Sequence, residues 1–164
     1  MTTQVRDKLI YNGKEYHIAT EPLHPYLEEH RISFIAPHTA CWRGYVGEWI
    51  VEDNKLYLTN LEANIKREKQ ESSEEYKTVG LEYLFPNEEK VFAKWFTGVI
   101  RIPHGKMLRY IHSGYASIYE KELYLEFASG ILVSCKEKDN NKEDLEKHSY
   151  NDSWEDLLSV KYKW

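Results

Sequence analysis

Residues 45–52, Tyr-Val-Gly-Glu-Trp-Ile-Val-Glu, alternate with a period of two. In an extended chain that spacing sends Tyr45, Gly47, Trp49 and Val51 to one face and Glu48 and Glu52 to the other, as in a half-buried strand. Glu52-Asp53-Asn54 then supplies turn residues before Leu56 to Leu61 returns, so the stretch reads as a hairpin. The same grammar recurs along the chain. Asn12-Gly13 sits between two short apolar or aromatic runs and tolerates the positive φ angles of a type I′ turn. Val91 to Ile102 predicts a second long strand, and Pro103-His104-Gly105 predicts a tight turn that ends it. Short runs from Met107 to Lys136 add further strands.

The fold expected from this pattern is mainly β, an antiparallel meander forming a barrel or sandwich. Ser153 with Asp156 resembles a capping box and predicts one short C-terminal helix over 154–159. Pro22, Pro25 and Pro37 limit residues 19–38 to a short helical turn or extended pieces that wrap the sheet. With 13 Tyr and 5 Trp against 2 Met, composition leans the same way, because an aromatic ring packs well on a sheet face whose edge meets water.

A chain of 164 residues has material for one β-rich domain, 1–164. The polar stretches 66–75 and 137–148 read as mobile segments. No run approaches a membrane span and residues 1–10 lack the apolar core of a secretory signal, so the expected location is the cytoplasm, with no membrane partner. Cys41 and Cys135 read as buried thiols rather than a disulfide. The scattered histidines show no zinc-binding spacing, and neither a metal nor a cofactor is expected.

Residues 42–65 are echoed at 112–131, each passing from Gly-Tyr through a charged break into Leu-Tyr-Leu. Two readings stand: two hairpins under one packing rule, with Tyr57 and Tyr124 facing outward between inward leucines, or a duplication.

Charge is segregated. Between Glu89 and Glu120 there is no acidic residue, although Lys90, Lys94, Arg101, Lys106 and Arg109 are present; a second acid-free window, from His30 to Gly47, holds Arg31 and Arg43. Both windows interleave arginine with aromatic residues, at Trp42, Arg43 and Tyr45 and at Arg109, His112 and Tyr115. A guanidinium fork matches phosphate or carboxylate and an aromatic face stacks a ring, so these six are the candidate ligand-binding residues, expected to meet in one pocket. Ordinary pairing of the arginines with acids on adjacent strands is the competing reading, with Gly44 and Gly114 marking bulges.

No phosphate-binding loop, nucleophile elbow or metalloprotease motif is present, and no catalytic residue is assigned. A net charge of −5 argues against general nucleic-acid binding, which needs a broad basic face. The pattern Thr39-Ala40-Cys41-Trp42-Arg43-Gly44-Tyr45, with the runs at 95–98, 101–106 and 112–120, resembles a group of uncharacterised bacterial proteins. That resemblance implies a bacterial origin and no activity. The function expected is non-catalytic binding of a small anionic or aromatic ligand such as a nucleotide, or of a protein partner. The alternative is a small enzyme with a dispersed active site acting on a phosphorylated or carboxylated substrate.

Overall fold

A computed structural model describes residues 3–67 and 76–140. The chain is mainly β. Its strands are β1 (Asp7–Tyr11), β2 (Lys14–Ile18), β3 (Tyr45–Glu52), β4 (Lys55–Lys66), β5 (Tyr76–Val79), β6 (Val91–Phe92), β7 (Gly98–Arg109), β8 (Ile118–Ala128) and β9 (Ile131–Asp139). Among the described residues, a helix, α1 (His24–Glu29), falls in the proline-punctuated segment, and a 3₁₀ turn spans Leu81–Tyr83. The helix expected over 154–159 lies outside the described residues.

Tight turns set three hairpins, the first two where the sequence signals them. Asn12 and Gly13 have φ of 50° and 76°, Asp53 and Asn54 have 51° and 60°, and Ser129 and Gly130 have 47° and 80°. These are the paired positive φ values of type I′ turns, whose twist matches that of the flanking strands. The alternation in β3 also holds: Tyr45, Gly47 and Trp49 are buried while Val46, Glu48 and Ile50 are only partly so.

The architecture differs from a closed or stacked meander. All the strands belong to one sheet, ordered β2-β1-β3-β4-β9-β8-β7, with β5 and β6 also pairing with β4. It is mixed, because β1 runs parallel to β3 in the register Leu9↔Trp49. The barrel does not close: no ladder pairs the two edge strands, which are joined where Ala19, one residue past β2, donates to the Arg101 carbonyl at 2.8 Å. The join between β4 and β9 is equally narrow, one pair at Lys55↔Ile131. Across the curled sheet, Leu9, Trp49, Leu56 and Leu58 form one core with Ile100, Ile102, Leu125 and Phe127. Full burial of a side chain of this size is worth about 1.5–3 kcal/mol relative to exposure.

The turn expected at Pro103 is absent, and β7 runs through it with a register shift between His104 and Met107. Arg101 turns both backbone groups away from β8, its N–H to Thr20 Oγ1 at 2.9 Å and its carbonyl to Ala19. With a period of two, residue 103 presents its nitrogen on that same side, so a proline there removes no ladder bond. The echo also resolves into unlike parts. Residues 42–65 contain the β3–β4 hairpin, whereas residues 112–131 are a loop followed by β8, with the charged break Glu120-Lys121-Glu122 inside the strand. Tyr124 is not an outward residue: it is 2% exposed. Cys135 is likewise exposed rather than buried. Of the polar stretches expected to be mobile, Lys66 belongs to β4 and Glu137 to Asp139 to β9, paired to β8; residues 68–75 and 141–148 lie outside the described residues.

Candidate functional site

The loop before β3 carries Trp42 and Arg43 into position because two short backbone bonds fold it, Cys41 N–H to His38 O and Gly44 N–H to Cys41 O. Gly44 is needed here for a packing reason. Its φ is +77°, and a Cβ would stand 2.7 Å from the Ile35 carbonyl oxygen. The glycine admits neighbouring backbone, not a ligand.

Trp42, Arg43, Tyr45 and Tyr115 line one cavity of about 590 Å³, together with Phe34 and Glu21. Four of the six residues singled out in the sequence therefore share a wall. The other two do not. Arg109 is exposed at the end of β7, where it stands opposite Ile118 and forms no ion pair among the described residues. His112 is exposed too, with Nδ1 2.6 Å from the Tyr110 hydroxyl, which lies 3.2 Å from Thr3 Oγ1. The expected convergence of Arg43 and Arg109 on one cavity is not found.

Arg43 is also committed elsewhere. One terminal nitrogen donates to Asp7 Oδ1 at 2.7 Å and the other to the Val5 carbonyl at 2.7 Å. The pair is enclosed, with side-chain exposures of 8% for Arg43 and 0% for Asp7. Asp7 accepts two more bonds, from the Gly47 N–H at 2.9 Å and the Trp49 indole at 3.0 Å. Burial pushes the Asp7 carboxyl above the usual range, while Arg43 and these N–H donors pull it back. Arg43 is drawn down by burial but raised overall, chiefly by Asp7. Such a pair is costly to bury and costlier to break, since either charge alone would have no partner.

The rest of the wall includes aromatic and acidic side chains. Trp42 is 51% exposed. Burial pushes the phenols of Tyr45 and Tyr115 well above their ordinary range, so both stay protonated. Tyr45 Oη is enclosed without a hydrogen-bond partner. The carboxylates are Glu21 and Glu28, the latter 3.4 Å from His24. Sequence reasoning missed Phe34 and Glu21; both lie in the segment that proline reduces to short pieces, where no periodicity marks a face.

Two cations of the remaining basic window are paired with acids on other strands. Arg101 meets Glu122 through Nε at 3.1 Å and a terminal nitrogen at 2.7 Å, and Lys90 meets Glu52 at 3.2 Å. Cys41 is buried with its thiol directed to the Tyr45 carbonyl at 3.5 Å. Among the described residues no group of three or more His, Cys, Asp or Glu is gathered as metal ligands, and no helix is long and apolar enough to cross a membrane. Comparison with known protein families, curated proteins and solved structures returns no match.

Proposed function

We propose that the protein is a non-catalytic binding protein whose Trp42 cavity takes a small, flat aromatic ligand, neutral or cationic. The observation that carries this reading is the composition of the cavity wall: Trp42, Tyr45, Tyr115 and Phe34 surround about 590 Å³, a volume suited to a small molecule. Because Asp7 already neutralises Arg43, the arginine on this wall is not free to pair with an anion. Glu21 and Glu28 favour the opposite charge, and aromatic faces bind organic cations as well as rings. A nucleobase or an aromatic amine fits these terms better than a phosphate. Two free cysteines suit a reducing compartment, and a cytoplasmic location belongs to the same reading. A bacterial origin belongs to it as well.

A protein partner that inserts an aromatic or basic side chain into the same cavity is the second reading, supported by the exposed Trp42. An enzyme acting on a phosphorylated or carboxylated substrate stands behind both, since the arginine it would use here is bound to Asp7.

Thermal denaturation against a panel of nucleosides, aromatic amines and aliphatic controls tests the proposal, because a ligand that binds only the folded state raises Tm. At least one aromatic member should raise it, and Trp42→Ala should reduce that affinity by roughly tenfold or more, the scale of one stacked ring. The unliganded Tm of Trp42→Ala should stay close to that of the parent. If no aromatic compound shifts Tm, the small-molecule reading fails.

A further inference from the structure

A second cavity, of about 450 Å³, contains an arginine that the acid-free windows do not include. Arg6 lines it with Tyr16, His17, His104, Tyr110 and Tyr119, and Gln4 is common to both cavities. Arg6 precedes β1 by one residue. On an extended backbone, neighbouring side chains point to opposite sides, so Asp7 turns inward to Arg43 while Arg6 turns away from its own neighbour.

Of the acids nearby, Glu120 lies beside Gly105 on the cavity wall and two others have cationic partners. Glu15, on the same wall, lies 3.8 Å from Lys8, and Glu122 is bound to Arg101. No carboxylate among the described residues forms an ion pair with Arg6. Its guanidinium carbon instead stands 5.1 Å from the centre of the Tyr119 ring. That contact with Tyr119 orients the planar fork, and a guanidinium has five N–H donors, more than one phenol can engage. Burial pulls Arg6 somewhat below the ordinary guanidinium value, with Arg101 adding a smaller push in the same direction. A guanidinium nevertheless stays charged at neutral pH, so the cavity keeps a positive group with no ion pair among the described residues. The rest of the wall suits a ring: His104 meets Tyr16 edge-on at 5.7 Å, and Tyr110 is 58% exposed.

We infer that this second cavity binds a small aromatic anion, a carboxylate or phosphate monoester held by Arg6 with its ring among Tyr16, Tyr110 and Tyr119. This site is separate from the Trp42 cavity, and it restores the anionic chemistry that the Asp7–Arg43 pair withholds there. It needs no motion of an enclosed charge, because among the described residues Arg6 has no carboxylate partner to leave.

Phenyl phosphate and benzoate are suitable probes, with phenol and inorganic phosphate as partial ligands. Titration of the intact protein, followed by the ring C–H signals of the histidines in NMR, should move His104 at millimolar phenyl phosphate or benzoate and move it less with phenol. Inorganic phosphate should bind more weakly than phenyl phosphate. Arg6→Gln should weaken both anionic probes by about tenfold or more, as expected for loss of a charged hydrogen bond, and Trp42→Ala should leave them unchanged. An unmoved His104 in the parent protein overturns the inference without recourse to any variant. Binding that survives Arg6→Gln, or that Trp42→Ala abolishes, overturns it as well.

Discussion

Arg43 and Arg6 stand on the walls of two cavities that share Gln4, and their electrostatic positions are opposite. Arg43 lies in an acid-free stretch of sequence, yet in space it is bound to Asp7 at 2.7 Å. Arg6 is followed directly by an acid in sequence, yet that acid faces another way. Local composition therefore misjudges which arginine has charge available. The difference arises because a sheet brings distant residues face to face and sends adjacent ones to opposite sides.

The largest test of that contrast is a stability measurement. Asp7→Ala leaves Arg43 enclosed without its carboxylate and should cost about 3–5 kcal/mol in urea denaturation. Arg6→Gln removes a stacked cation that has no ion pair among the described residues and should cost no more than about 1 kcal/mol. Equal losses in the two variants would erase the distinction between the cavities.

A smaller effect separates the backbones that carry the two walls. Gly44 and Gly105 both have positive φ, +77° and +81°, but a Cβ on Gly44 meets the Ile35 carbonyl at 2.7 Å whereas one on Gly105 meets the Glu120 side chain at 3.2 Å. Gly105→Ala should cost about 1–2 kcal/mol for the left-handed conformation alone. Gly44→Ala should cost clearly more, since backbone at Ile35 cannot swing aside as a glutamate can. Comparable urea midpoints for the two variants would show that the Trp42 loop is less tightly constrained than its geometry indicates.

The third test extends the comparison to the other enclosed pair, Arg101–Glu122. Burial raises the Glu122 carboxyl above its ordinary value of 4.5, against the pull of Arg101. A carboxyl that holds its proton more tightly when folded adds stability that is present below the unfolded value and is lost as pH rises through the folded one. The stability of the parent relative to Glu122→Gln should therefore decline from about pH 4 towards pH 7. A difference that stays constant over that range would mean that Arg101 holds the carboxylate ionised without strain.

Part of the molecule was legible from residue order because its causes are local. Asn12-Gly13 and Asp53-Asn54 tolerate the φ values their turns require, and Tyr45 to Glu52 carries the period of a strand. The break predicted at Pro103 failed because the lost N–H depends on which side the neighbouring strand lies, and β7 has its ladder partner on the other side. The outward reading of Tyr124 failed for a related reason: Glu122 to Leu125 are all buried, so both faces of β8 are covered there and alternation no longer reports exposure. Four of the six candidate site residues share a cavity, but no sequence signal pointed to Phe34, Glu21 or Arg6.

Sequence alone determined the mainly β character, the turns at Asn12-Gly13 and Asp53-Asn54 and the aromatic residues available to line a cavity, since φ preference and period-two burial act over a few residues. Tertiary structure decided that β1 lies parallel to β3, that the sheet stays open, and that Asp7 meets Arg43 rather than Arg6. Those outcomes depend on contacts between residues tens of positions apart, where the direction in which each side chain leaves the sheet decides which charges meet.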